Sequence, residues 1–308
     1  MGKLSCWCVT PVVLISALSG LASARASAAP VIPRFSHVLV IVAENKEFDQ
    51  VIGSSKMRNF NGWAKSYALL REYYAVAHPS LPNYIALIGG DHFGILEDCV
   101  NCFVKARSLA DLLEADGRTW KTYQEDLPGP GFIGTFSGKY VMRHNPFVYF
   151  ESLRNNADRL QRSVVPLSQL APDLEQGRLP DFSFIVPDLC HSSHDCGLDV
   201  TDAWLGGIVG SILSSPAFDS RSLLVVTFDE GTTDKGARGS SGPAGGGRVA
   251  TVLISALVKP GYVDKTPYSH YSLLKTIAVS WGLEGLRHAA DPATNVIALP
   301  WKDSSPGP

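Results

Sequence analysis

Apolar residues along this chain come in short continuous runs separated by stretches of helical period. The segment "SHVLVIVAEN" (36–45) holds an unbroken β-branched run, the pattern of a strand buried on both faces. "DFSFIVPD" (181–188), "RSLLVVTFDEG" (221–231) and "RVATVLIS" (248–255) read the same way, and "RTWKTYQED" (118–126) is strand-like. Between them lie helical patterns. "FNGWAKSYALLREY" (60–73) predicts a helix, "IALIGG" (85–90) one that ends in glycine, and "SLADLLEADG" (108–117) one with Ser108 and Asp111 as a capping box and Gly117 as its stop. "VPLSQLAPDLEQG" (165–177) reads as a broken, short helix. "TDAWLGGIVGSILSS" (201–215) predicts a helix capped by Thr201 or Asp202, and "SHYSLLKTIAVSWGL" (269–283) a last one. Strands alternating with helices predict an α/β fold, a three-layer sandwich around a mostly parallel central sheet.

Composition adds limits. The 308 residues suffice for one large domain; 45% are hydrophobic and 18% charged, which fits a globular chain and excludes disorder. Net charge is −2, with no basic excess for nucleic acid and no polybasic run for anionic lipid. Lys3, the apolar "CWCVTPVVLISALSGLASA" and Ala26-Ser27-Ala28 read as a secretory signal peptide over 1–28, leaving one domain over 29–308. An uncleaved anchor is the rival reading, which Pro11 and the many small residues disfavour. No second segment is long enough to span a bilayer, so a secreted or extracytoplasmic protein is expected, without stable membrane insertion once the leader is removed. Four cysteines then remain. In an exported protein Cys99–Cys102 and Cys190–Cys196 are the simplest disulfide pairings, and a Cys-plus-His metal site using His191 and His194 is the alternative. "GTTDKGARGSSGPAGGGR" (231–248) reads as a surface loop, since its spacing matches no phosphate-binding glycine motif.

Ligands in open α/β sheets bind at the carboxyl ends of strands. Glu44 and Asn45 follow the first strand, Asp229 and Glu230 follow the strand through Val226, and Asp188, His191, His194 and Asp195 follow 181–186. His270 precedes the last helix, and Ser80, in "HPSLPNY" (78–84), opens another. Any one of these has a bland reading as a turn or a solvated cap. Together they place acids at two strand ends, where mutual repulsion calls for a divalent cation; oxygen donors suit Mg²⁺, Ca²⁺ or Mn²⁺, with Zn²⁺ and iron also open. A serine at a helix N-terminus beside such a cation is an activated nucleophile, and the histidines are candidates to neutralise phosphate or protonate a leaving alcohol.

Seven segments in order carry a resemblance: "ENKEFDQVIG" (44–53), "HPSLPNY", "YQEDLP" (123–128), "HNPF" (144–147), "HDC" (194–196), "TFDEG" (227–231) and "SHYSLLKTI" (269–277). Together they resemble the bacterial phosphoesterase family of secreted acid phosphatases and phosphocholine-type phospholipases C, in the alkaline-phosphatase-like superfamily. The resemblance implies metal ligands at Glu44, Asn45, Asp229 and Glu230, the nucleophile at Ser80, catalytic histidines at His194 and His270, and substrate contacts at Asn83, His144 and Asp195. For His144 a buried loop-capping role is equally open. His78 ranks behind His194 and His270 as a participant. The chain departs from the family pattern at His191-Ser192-Ser193, where Asn-Asp-Met is usual, and at Arg248, where a histidine is frequent; the arginine would still offer a cation to phosphate.

The expected activity is hydrolysis of phosphate monoesters, phosphoinositide monophosphates included, through a phosphoserine, with an acid optimum if a protonated histidine is essential. A phospholipase C-type phosphodiesterase is the second expectation. The family's phospholipases usually carry added C-terminal domains, whereas this chain ends soon after its last predicted helix, in "PWKDSSPGP". A non-catalytic phosphate-ligand-binding protein on the same scaffold is the third.

Overall fold

A computed structural model describes residues 1–4, 31–236 and 245–302. Most of the expected signal peptide and the centre of the glycine-rich loop lie outside the described residues. From Val31 onward the chain forms one compact unit. No helix among the described residues is long and apolar enough to cross a membrane.

Eight strands make the central sheet. They are β1 (Val38–Ala43), β2 (Ala68–Leu70), β3 (Trp120–Gln124), β4 (Val164–Pro166), β5 (Phe182–Val186), β6 (Leu223–Phe228), β7 (Thr251–Ile254) and β8 (Val263–Asp264), in the spatial order β8-β2-β7-β6-β1-β5-β3-β4. The block from β6 to β4 is parallel throughout, and only β7 runs antiparallel to its neighbours β6 and β2. β1 lies inside that block, between β6 and β5, with all six residues buried, which is what its continuous apolar run requires. Pairing of Ala43 with Phe228 brings the carboxyl ends of β1 and β6 side by side. Glu44 and Asp229 are the next residue on each strand, so register alone places the two acids together.

Five longer helices matter for the site: α1 (Arg58–Ser66), α2 (Ser80–Gly89), α3 (Leu109–Ala115), α4 (Leu198–Ser214) and α5 (His270–Trp281). α1 packs on α4 and α2 on α5. α2 is buried along its whole length and ends at Gly90, whose φ of 74° is the left-handed conformation glycine adopts without strain. The capping box at Ser108 and Asp111 is formed, and α5 carries another between Ser269 and Ser272.

Two expectations fail locally. The helix expected over 60–73 ends at Ser66, and Ala68–Leu70 becomes a strand. That short apolar run fits either state; antiparallel pairing with β7 decides it. Neither Thr201 nor Asp202 caps α4, which starts at Leu198 behind Gly197. Asp202 instead accepts the backbone N–H groups of Asn59 and Phe60, and so caps α1 from across the packed interface.

Candidate active site

Glu44 is the centre of the site and is fully buried. Its Oε2 accepts hydrogen bonds from Ser80 Oγ at 3.0 Å and from Asn45 Nδ2 at 2.9 Å. Its Oε1 accepts the Tyr84 hydroxyl at 2.5 Å. Ser80 and Tyr84 are four residues apart on α2, hence on one face of the helix, and grip both oxygens of one carboxylate. Asn45 has φ 55°, a left-handed conformation that asparagine tolerates, and its backbone N–H donates to Asp229 Oδ1 at 3.0 Å. Asp229 Oδ2 is buried with no hydrogen-bond partner among the described residues.

Burial dominates the electrostatics. It pushes the Glu44 carboxyl up to about 7, against hydrogen bonds that favour its charged form. Asp229 is driven well above the ordinary carboxylate range by burial, then by the charges of Glu44 and Glu230. Glu230 is raised by burial, although His78 opposes the shift. His78 Nδ1 lies 3.1 Å from Glu230 Oε2, and that bond lifts the imidazole to about 9. Lys46 feels the charges of Asp229 and Glu44, but its ammonium donates to the Ser193 carbonyl and burial lowers its pKa.

Three acids thus share strand ends with too little positive charge, and one carboxylate oxygen has no partner. Oxygen donors from Glu44, Asn45, Ser80 and Asp229 suit a hard divalent cation, and the residues fit one. Glu230 is turned partly away, toward His78 and Asn83. A second group, Glu125, Asp188 and His191, brings three ligand atoms within 4.8 Å of one another and could also hold a metal. There, however, the Glu125 oxygens already accept from Trp204, from the Asp188 backbone and from His191.

The remaining expected residues fall in four places. His194 is half-exposed; its Nδ1 is 2.7 Å from Asp195 Oδ1 and its Nε2 3.3 Å from Arg143 Nη2. Asp195 therefore orients the histidine. His144 is buried, stacked on Tyr84, with Nε2 3.2 Å from Glu44 Oε1 but outside hydrogen-bonding geometry, and burial holds its pKa well below the usual value. His270 is fully buried; its Nε2 meets the Asp229 carbonyl at 2.6 Å and its Nδ1 the Tyr73 hydroxyl at 3.3 Å. With both nitrogens engaged and burial lowering its pKa to about 4, it braces the strand end carrying Asp229. Asn83 is likewise turned inward: Oδ1 accepts the N–H groups of Val76 and Ala77, and Nδ2 donates to the Ala77 carbonyl and to Glu230. It shapes the loop leading into α2.

Both expected disulfides, Cys99–Cys102 and Cys190–Cys196, are present, which removes the cysteine-ligated metal alternative. Ser192 and Ser193 latch their loop onto the end of β1: the Ser192 carbonyl accepts the Glu44 N–H, and Ser193 Oγ donates to the Glu44 carbonyl. Arg248 is the clearest correction. Its Nη2 donates to both oxygens of Asp49, its Nη1 pairs with Glu72 and its guanidinium lies over Phe48, so its charge is spent on this packing. Tyr84 and Arg143 are the site residues that the motif reading missed; for Tyr84 the signal was its spacing from Ser80.

Residues 54–284 match the model of the phosphoesterase family. The chain belongs to this family. This phosphoesterase is 32% identical over 289 residues to an acid phosphatase of Aspergillus fumigatus, covering 87% of the chain and 61% of that protein. It is also 32% identical over 274 residues to a phosphatidylinositol-3-phosphatase of Mycobacterium tuberculosis, covering 87% of the chain and 85% of the relative. A phospholipase C of that organism matches more distantly, at 27% over 229 residues. The chain spans less than two thirds of the length of the fungal acid phosphatases it matches. Among solved structures, an alkaline phosphatase superfamily protein from Vibrio parahaemolyticus superposes with a TM-score of 0.57 at 13% identity, over 85% of this chain and 72% of that one. A murine ectonucleotide pyrophosphatase/phosphodiesterase gives 0.54 at 9% identity, over 82% and 96%. These likenesses are of fold: the chain shares the α/β architecture of both structures.

Proposed function

We propose that the chain is an exported, divalent-metal-dependent phosphatase that hydrolyses phosphate monoesters with Ser80 as its nucleophile. The observation that carries this reading is the Ser80–Glu44 hydrogen bond at a buried helix N-terminus, beside a partnerless oxygen of Asp229. Glu44, Asn45, Asp229 and the Ser80 oxygen would hold the cation, with Glu230 at its edge. When bound, the cation supplies Lewis acidity and offsets the charge of the acids. Ser80 Oγ attacks phosphorus, its proton passes to a neighbouring base, the bond to the ester oxygen breaks, and water later cleaves the phosphoserine. The positive end of the α2 dipole favours the phosphate there. Tyr84 holds Glu44 in place; His194, oriented by Asp195, is the proton carrier nearest the open side.

The phosphatidylinositol-3-phosphatase relative, matched over most of its own length, supports a phosphoinositide monophosphate as one substrate. The two disulfides support an extracytoplasmic location. The test is turnover of p-nitrophenyl phosphate by the metal-stripped chain after addition of Mg²⁺, Ca²⁺, Mn²⁺, Zn²⁺ or Fe²⁺. Restored turnover with a trapped phosphate on Ser80 is expected; no turnover with any of these ions refutes the reading.

A further inference from the structure

We propose that Arg143 is the phosphate-binding group that makes this site select doubly charged monoesters over singly charged diesters; the inference rests on the phosphatase reading above. Arg143 is mostly buried, with its side chain 26% exposed, and its Nε lies 3.3 Å from Asp98 Oδ2 without forming a hydrogen bond. Asp98 is already shared, because its Oδ1 accepts the N–H of Leu81, the residue after the nucleophile. The Arg143–Asp98 pair therefore stands against the first turn of α2. On its other side Nη2 donates to His194 Nε2 at 3.3 Å, and the arginine's charge also helps depress the buried His144 behind it. One cation thus sits among the nucleophile's helix, the histidine that Asp195 orients, and the buried His144.

Its partners leave it under-used. A guanidinium has five N–H donors in a planar fork that matches two oxygens of a phosphate. Among the described residues Arg143 makes one hydrogen bond, to an imidazole nitrogen, and one ion pair, to a carboxylate that also serves the backbone. Arg248 shows the contrast: its Nη2 donates to both carboxylate oxygens of Asp49 and its Nη1 pairs with Glu72, so its charge already has two carboxylate partners. Phosphate gives Arg143 an anionic bidentate partner in place of a weak one. A monoester carries close to two negative charges above its second pKa of about 6, and a diester carries one. With Glu44, Asp229 and Glu230 all acidic, the second charge needs a cation beyond the metal, and Arg143 supplies it.

The experiment compares the metal-loaded full chain with Arg143→Ala, Arg143→Gln and Arg143→Lys on p-nitrophenyl phosphate and bis(p-nitrophenyl) phosphate. Arg143→Ala is expected to lower kcat/KM about 100-fold or more on the monoester and under about tenfold on the diester, with inhibition by inorganic phosphate weakened at least tenfold. Arg143→Lys should recover part of the monoester rate, since it restores charge without the fork. Equal losses on both esters, or no loss, overturn the proposal. If the alanine variant does not fold, Arg143→Gln preserves most of the side-chain volume and is judged by the same ratio. If the wild type hydrolyses neither ester with any metal, the phosphatase reading fails separately. Calorimetric binding of inorganic phosphate then decides for Arg143: binding weakened at least tenfold in Arg143→Gln supports its role, and equal binding or none in the wild type overturns it.

Discussion

Two buried acid sites in this molecule are built in opposite ways. Asp173, in the helix Leu170–Glu175, is 1% exposed and surrounded by donors: the Lys121 ammonium, the Tyr123 hydroxyl at 2.8 Å, Gln169 Nε2 at 3.2 Å and the Arg178 guanidinium at 3.8 Å. Asp229 is equally buried but keeps company with Glu44 and Glu230, and one of its oxygens has no partner. Burying a charge is tolerable when the protein itself supplies the counter-charge and hydrogen bonds. Asp173 meets that condition from within the fold. The strand-end acids do not, so their charge balance waits on something from solution. A complete set of partners marks a structural acid, and an incomplete one marks a binding site.

Substitutions separate the two. The largest effect is expected within the incomplete set. Ser80→Ala should lower phosphatase turnover by about 10³-fold or more while the urea unfolding midpoint barely moves, because Ser80 Oγ makes one side-chain bond. A variant that keeps turnover would break the assignment. Next comes a paired test. Asp173→Asn leaves Lys121 with an uncompensated charge and should destabilise the fold by about 2–4 kcal/mol. Asp229→Asn, in chelator, should leave stability unchanged or raise it, yet cost at least about 100-fold in metal-supported turnover. Denaturant curves of both variants, with and without metal, read the comparison directly; an equal loss of stability from both would erase it.

The pH dependence is expected to sharpen the contrast. The folded Glu44 carboxyl titrates near 7 against an ordinary value of 4.5, so in that interval the metal-free folded state holds a proton that the unfolded chain has released. Stability must then fall as pH rises from 4.5 to 7, by about 3 kcal/mol for this group alone. It should level off below that window. Saturating divalent metal should flatten the fall, since the cation favours the charged carboxylates. Unfolding free energies at several pH values, in chelator and in metal, measure both slopes. The smallest effect concerns the loop between β5 and α4. Replacing Cys190 and Cys196 together by alanine should cost about 2 kcal/mol by the loop-entropy estimate. Turnover should suffer more than that figure implies, because the bridge frames His194 and Asp195.

Much of the site was readable from the sequence because it is built at strand ends. A continuous apolar run announces a buried strand, and the polar residues that end it, Glu44 and Asn45 or Asp229 and Glu230, are conspicuous by position. The helix start at Ser80 was legible for a similar reason. Roles set by three-dimensional partners were not. The effect of Arg248 was left open, and it is held by Asp49 and Glu72; Asn83 was expected to face the substrate and is occupied by the backbone of Val76 and Ala77. His270 stands where the reading placed it, at the start of a helix, but its ring is locked between Asp229 and Tyr73. Thr201 or Asp202 was expected to cap its own helix, and Asp202 caps a neighbour. Each departure involves a contact more than five residues away in sequence, which pattern and spacing do not encode. The three-residue strand Ala68–Leu70 escaped because so short an apolar run carries no period.

The burial of α2 on every side has a consequence for how such a site can change. Ser80, Asn83 and Tyr84 share a helix with no exposed face; Ser80 and Tyr84 both reach Glu44, and Asn83 reaches Glu230 and the 76–77 backbone. A slip of one residue along that helix would turn all three by about 100° at once. The nucleophile cannot be retuned independently of its supports. Substitutions here should therefore act in concert rather than additively, and transplanting the chemistry to another scaffold would mean moving the helix and the end of β1 as one piece.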